Sequence, residues 1–165
     1  MSVSLYGSGQ TVIQVASTTL NTAFSMSGAT LTPVTGLSVS ITPQSTTSKI
    51  LILASITLAG TNGQSGVVWS FAKNGSPIDQ GAPVNSQPYF TGGMAYIPDP
   101  NSFTTCAGSY LDSPSTTSAT TYSIQVASSG TSGVYVNRSQ NYANTTSNYN
   151  GTTTSTITVM EIAYS

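Results

Sequence analysis

Hydrophobic and polar residues alternate along most of the chain with a period of two, the signature of β-strands. In "TGLSVSITP", Leu37, Val39 and Ile41 fall on one side, and Ser38 and Ser40 on the other. "SKILILASITLAG" puts Ile50, Ile52, Ala54, Ile56 and Leu58 on one face. Leu51 and Leu53 occupy the opposite face before it turns polar at Ser55 and Thr57. A strand half covered on its second face predicts a neighbouring subunit or a second layer there. "ATTYSIQVASS" sets Tyr122, Ile124 and Val126 against Thr121, Ser123 and Gln125. "GQTVIQVAS" runs its apolar residues together, as in a strand covered on both faces. Asn74-Gly75 in "VVWSFAKNGSPI" is a strong hairpin signal because both residues tolerate positive φ. Trp69 and Phe71 share one face of the incoming strand. "SGVYVNRS" and "STITVMEIA" supply the last two strands.

No segment has helical periodicity, so the chain reads as all-β with about eight to ten strands. Between Gly81 and Phe103 the pattern weakens: four prolines and a Gly-Gly pair suit turns and edges. Short strands are expected near Tyr89 and over Met94–Ile97. Many short strands punctuated by turns indicate a sandwich or barrel. The length, the opening strands and the late hairpin fit a two-sheet jelly roll. Residues 1–9 read as a short N-terminal arm and 10–165 as one domain.

Charge changes the picture most. Soluble domains carry about 25% Asp, Glu, Lys and Arg, whereas this chain carries 4%. Ser and Thr together fill roughly a third of positions, so the polar surface is built from hydroxyls and amides. Three cations are too few to displace counterions from nucleic acid or to hold an anionic membrane. No apolar run is long enough for a membrane-spanning helix. "MSVSLYGSGQ" lacks the basic start and apolar stretch of a secretory signal, so export is not expected. A single Cys106 makes no internal disulfide and is expected to be a small buried hydrophobe. With no histidine, scattered aspartates and no phosphate-loop, dinucleotide or zinc spacing, the expectation is no enzyme, no catalytic residue, no metal and no cofactor.

Several stretches carry a family likeness. "SKILILASI", "VVWSFAKNGSPI", "YLDSPSTTSATTYSIQV" and "STITVMEIA" together resemble small β-domains of tailed-phage genomes, which occur as tail-fibre heads or capsid-associated virion proteins. The likeness runs from about Gly9 to Glu161. Its most specific elements are "YLDSPSTTSATTY" from Tyr110 to Tyr122 and "VYVNRS" from Val134 to Ser139. A weaker similarity to the globular domains of tumour necrosis factor and complement C1q rests on the strand–"KNG"–strand arrangement at Lys73 to Gly75. The resemblance implies a trimeric jelly roll on a virion surface, made in the host cytoplasm. Its partners would be itself, a fibre shaft or capsid shell, and a host-surface polysaccharide. Two roles follow as expectations: a fibre head displaying receptor-binding loops, or a capsid decoration or head-fibre protein anchored by its N-terminal arm.

Composition marks two candidate contact regions. Tyr142, Asn144, Asn148, Tyr149 and Asn150 mix rigid amphipathic rings with adaptable amides, as antibody loops do. That segment reads as a receptor contact, as a surface loop whose tyrosines pack locally, or as subunit packing. Tyr89, Phe90, Tyr96 and Phe103 lie among Pro and Gly, and read as an exposed patch, as a plug for the barrel end, or as a subunit seam. Asp112 in "LDSP" is expected to be a turn residue bonding its own backbone. Glu161 shares a face with Ile157 and Val159, and Arg138 follows Val134 and Val136. In a terminal hairpin Arg138 would lie opposite about Ser155, far from Glu161. These ions are either isolated surface charges or buried ones partnered from elsewhere, by Lys49 or another subunit. The sequons at Asn137, Asn144 and Asn150 are expected chance matches.

Overall fold

Alternation in the sequence becomes alternation in burial. Leu37, Val39 and Ile41 are buried while Ser38 and Ser40 are exposed, and Ile50, Ile52, Ala54, Ile56 and Leu58 all enter the core. A computed structural model describes residues 9–61, 65–96, 99–128, 131–141 and 151–164. Among them are eleven strands and no helix. The strands are β1 (Gln10–Leu20), β2 (Phe24–Ser27), β3 (Thr32–Ile41), β4 (Lys49–Gly60), β5 (Ser65–Lys73) and β6 (Ser76–Ile78). They continue with β7 (Gly92–Tyr96), β8 (Thr104–Asp112), β9 (Thr120–Ser128), β10 (Gly133–Val136) and β11 (Ser155–Tyr164).

Two antiparallel sheets face each other as a jelly-roll sandwich. One runs β1-β11-β4-β8, with β10 continuing the line of β11 along β4 and β2 lying beyond β10. The other runs β3-β9-β5, with β6 and β7 sharing the outer edge of β5. Consecutive long strands mostly cross from sheet to sheet, so neighbours in a sheet come from distant parts of the chain. The core between the sheets is aliphatic, with Phe71, Tyr122 and Trp69 as its large rings. Trp69 and Phe71 meet edge to face at 5.2 Å between centroids. Asn74-Gly75 forms the β5–β6 turn with φ of 49° and 85°, and the Asn74 carboxamide accepts from Thr121 N–H at 2.9 Å, tying the turn to β9.

Three expectations need correction. β1 is not covered on both faces: Val12, Ile13 and Val15 are exposed, because β1 is an edge strand and a bulge between Val12 and Gln14 resets its facing. β10 and β11 are not hairpin partners. Both lie end to end along β4, β11 on Lys49–Ser55 and β10 on Leu58–Gly60. Tyr89 belongs to a connection rather than to a strand, since the strand there begins at Gly92.

The point where β4 changes partner is sealed by side chains. Thr57 has lost β11 and not yet met β10, so its N–H goes to Ser155 Oγ (3.1 Å) and its C=O accepts from Asn137 N–H (3.0 Å). Ser155 Oγ donates to Asn137 Oδ1 at 2.6 Å, and Asn137 Nδ2 donates to the carbonyls of Leu20 (2.8 Å) and Thr22 (3.1 Å). Asn137 is fully buried at φ 61°, a backbone region that asparagine tolerates well. With its amide occupied in the core, its sequon is not a glycosylation site in the fold.

Candidate functional site

The ions are used structurally. Asp112 closes β8 and is only 5% exposed. Lys73 Nζ donates to both its carboxylate oxygens at 3.0 Å, and the buried Tyr122 hydroxyl donates to Oδ2 at 2.7 Å. Lys73 and Tyr122 belong to one sheet and Asp112 to the other, so the triad bolts the two layers together at one end. This corrects the expected turn role of Asp112: its carboxylate faces across the sandwich instead of toward its own backbone. Burial, and then the bond to the Asp112 carboxylate, push the Tyr122 phenol far above the usual tyrosine range.

Glu161 is fully buried and is held by amides rather than by a cation. Gln44 N–H donates to Oε1 at 2.7 Å, and the Gln14 carboxamide, oriented to donate, reaches Oε2 at 3.2 Å. Lys49 is not its partner; it donates instead to Ser113 Oγ at 2.6 Å. The Arg138 guanidinium lies 4.4 Å from the centre of the Tyr135 ring.

The outer face of the β1-β11-β4-β8 sheet is apolar where most of the molecule is polar. Register aligns Val15, Met160, Leu51 and Leu111 in one row across four strands. Val15 is 57% exposed and Leu111 47%. In the next row, Ser17 and Thr158 lie beside Leu53, itself 36% exposed, and their hydroxyls bond each other at 2.8 Å. Val12 and Ile162 flank the row on its other side. A contiguous exposed apolar area is the mark of an interaction surface.

At the opposite margin, the free edges of β7 and β8 face each other without pairing, and the sandwich opens into a cleft of about 440 Å³. Trp69, Asp79, Thr91, Gly92, Cys106, Gly108 and Ser109 are among its lining residues. Glycine is required where the indole approaches the strands. A Cβ at Gly92 would meet Trp69 Nε1 at 2.9 Å, and one at Gly108 would meet Trp69 Cη2 at 2.6 Å. Thr91 builds the wall: its hydroxyl donates to Asp79 O at 2.8 Å and accepts from Phe71 N–H at 3.2 Å, holding Asp79 at φ 53°. Burial raises the pKa of the Asp79 carboxyl and of the Cys106 thiol. Cys106 is partly buried against the core, more open than a core cysteine.

The predicted contact residues are only partly brought into view. Tyr142, Asn144, Asn148, Tyr149 and Asn150 lie outside the described residues. The base of their segment is placed: Asn141 N–H donates to Pro100 O at 3.0 Å, which sets that base beside the stretch leading to Phe103. Within the second group, Tyr89 is 45% exposed and Phe103 37%, while Phe90 is half-buried. Tyr96 sits on β7, opposite Ser65 in register. Sequence reasoning put Leu51 and Leu53 on a covered second face but missed the row that Leu51 joins, and it passed over the Trp69 cleft. The row needs strand partners to assemble it. The cleft left a fainter trace in the glycines of "TGGMAY" and "CAGSY", since glycine inside a strand pattern marks close backbone approach. Among the described residues, no group of three or more His, Cys, Asp or Glu is placed to hold a metal ion. No known protein-family model matches this sequence, and no curated protein is significantly similar to it.

Proposed function

We propose that this chain is a non-enzymatic structural protein of a tailed-phage virion, the homotrimeric head of a fibre that contacts the host surface. The observation that carries the reading is the apolar row of Val15, Met160, Leu51 and Leu111 on a surface rich in hydroxyls and amides. Full burial of one such aliphatic side chain contributes about 1.5–3 kcal/mol, so a second chain laid over the row gains enough to associate. A net charge of −1 supplies little repulsion to oppose it. Joined head to tail to a different surface of the next chain, this sheet face builds a closed ring when each step turns by a third of a circle. Linked weak sites on such a head gain roughly 10² to 10⁴ in avidity, which suits attachment to a repetitive cell surface.

Light scattering on the purified protein tests the assembly, with three chains per particle as the expected mass. Leu111→Lys, on the exposed side of β8, should yield monomers with an unchanged β-type circular dichroism spectrum. A monomeric parent protein at micromolar concentration sinks the trimer. Antibody labelling of intact particles tests the location: signal confined to the capsid shell would replace the fibre head with a decoration protein.

A further inference from the structure

We propose that the cleft between β7 and β8 binds a neutral saccharide, with the Asp79 carboxylate accepting from its hydroxyls and the Trp69 indole N–H donating to it. The inference rests on the host-contact reading for its source of ligand, and adds to it a site and a ligand class.

The cleft holds a complementary pair of unused polar groups. Among the described residues, nothing donates to the Asp79 carboxylate and nothing accepts from the Trp69 indole N–H, although both residues line the same opening. Other polar groups nearby hold the wall together. Thr91 satisfies Asp79 O and Phe71 N, while Gln80 Nε2 donates to Tyr89 O at 2.9 Å. Gly92 and Gly108 let the strand backbone pack directly on the indole, so Trp69 is only 3% exposed, at the floor of the cleft that it lines.

The chemistry of the lining narrows the ligand. An anion is repelled by Asp79, and no lysine or arginine lines the cleft to offset it. A metal ion would find one carboxylate and no second acidic or histidine ligand among the lining residues. A hydroxyl-bearing ring meets both needs at once, its O–H groups donating hydrogen bonds to the carboxylate and one of its oxygens accepting from the indole N–H. The volume of about 440 Å³ falls within the range of small-molecule pockets and admits a mono- or disaccharide. Burial raises the pKa of the Asp79 carboxyl, and hydroxyl donors bonded to the carboxylate would favour its ionised form.

Trp69 is the only tryptophan in the chain and reports directly on the cleft. Glucose, galactose, mannose, N-acetylglucosamine and their disaccharides are titrated at millimolar concentrations against the full-length protein, followed by tryptophan emission and calorimetry. The expected result is a saturable response to at least one sugar. Asp79→Asn should weaken it by about tenfold or more, the cost of losing hydrogen bonds to a charged acceptor. Asparagine tolerates the positive φ at this position, so the variant should keep its melting temperature. Saturable binding that Asp79→Asn leaves unchanged would overturn the cleft assignment and place recognition elsewhere on the same head. The absence of any saturable response in both measurements would also overturn it. The trimer is tested separately by light scattering.

Discussion

At the residue scale, hydroxyl groups replace ions as the polar glue of this molecule. Ser40 and Thr121 bond across β3 and β9 at 2.7 Å, and Thr57 and Thr105 across β4 and β8 at 3.1 Å. Such pairs satisfy both partners without the desolvation cost of charge. One exception is the Lys73–Asp112–Tyr122 triad, and it makes a pH prediction. The folded-state pKa of Tyr122 is raised, so its stabilising effect is complete below the unfolded value near 10 and declines as pH rises past it. Between pH 10 and 12 the unfolded chain releases this proton and the folded one does not, costing about 1.4 kcal/mol per pH unit. Tyr122→Phe should lose about 1–2 kcal/mol at neutral pH. Its stability should then fall less steeply in alkali than that of the parent. Denaturant titrations at several pH values check both arms; parallel alkaline losses would refute the role of the phenol. Sequence showed Tyr122 as inward-facing, but it could not show Asp112 beneath it, since the two belong to different sheets.

At the element scale, faces were legible and partners were not. The period of two placed Ile50, Ile52, Ile56 and Leu58 on the buried side of β4 because alternation is a local property of the pleat. Pairing is non-local, so the end-to-end placement of β10 and β11 along β4 left no trace in spacing. Asn137 is the device that makes this junction possible, serving Leu20, Thr22, Thr57 and Ser155 at once. Asn137→Ala removes its buried amide bonds and places a Cβ-bearing, non-amide residue at φ 61°, so it should cost about 3 kcal/mol. Asn137→Gly relieves the backbone and should lose about 1 kcal/mol less. Urea midpoints for the two variants decide the matter, and equal losses would refute the backbone contribution. The apolar run in "TVIQVAS" misled for a related reason: edge position and a bulge, both set by pairing, left its apolar residues outward.

At the scale of the whole molecule, the near absence of ions bears on how copies would meet in the proposed assembly. An interface built on Val15, Met160, Leu51 and Leu111 and framed by hydroxyls depends little on screening. The proposed oligomer should therefore keep its mass as salt rises from about 0.1 to about 1 M, although the Debye length falls from ~10 to ~3 Å. Sedimentation across that range checks the point; dissociation at high salt would show that the few charges hold the assembly after all. The apolar row and the Trp69 cleft lie on different parts of the sandwich, one on an open sheet face and one between two strand edges. Assembly and recognition can then be altered by separate substitutions, Leu111→Lys for the first and Asp79→Asn for the second.

The amino-acid sequence by itself determined that the chain is all-β, which residues face inward along β3, β4 and β9, and where the Asn74-Gly75 turn falls. These follow from interactions within a few residues: pleating, side-chain alternation and the φ tolerance of turn residues. Only the tertiary structure decided which strands are edges, how four separate apolar residues line up across one face, and that Asp112 meets Tyr122 across the core. Each of these depends on register between segments far apart in the chain. Alternation fixes the face that a side chain occupies and leaves its neighbour across the ladder undetermined.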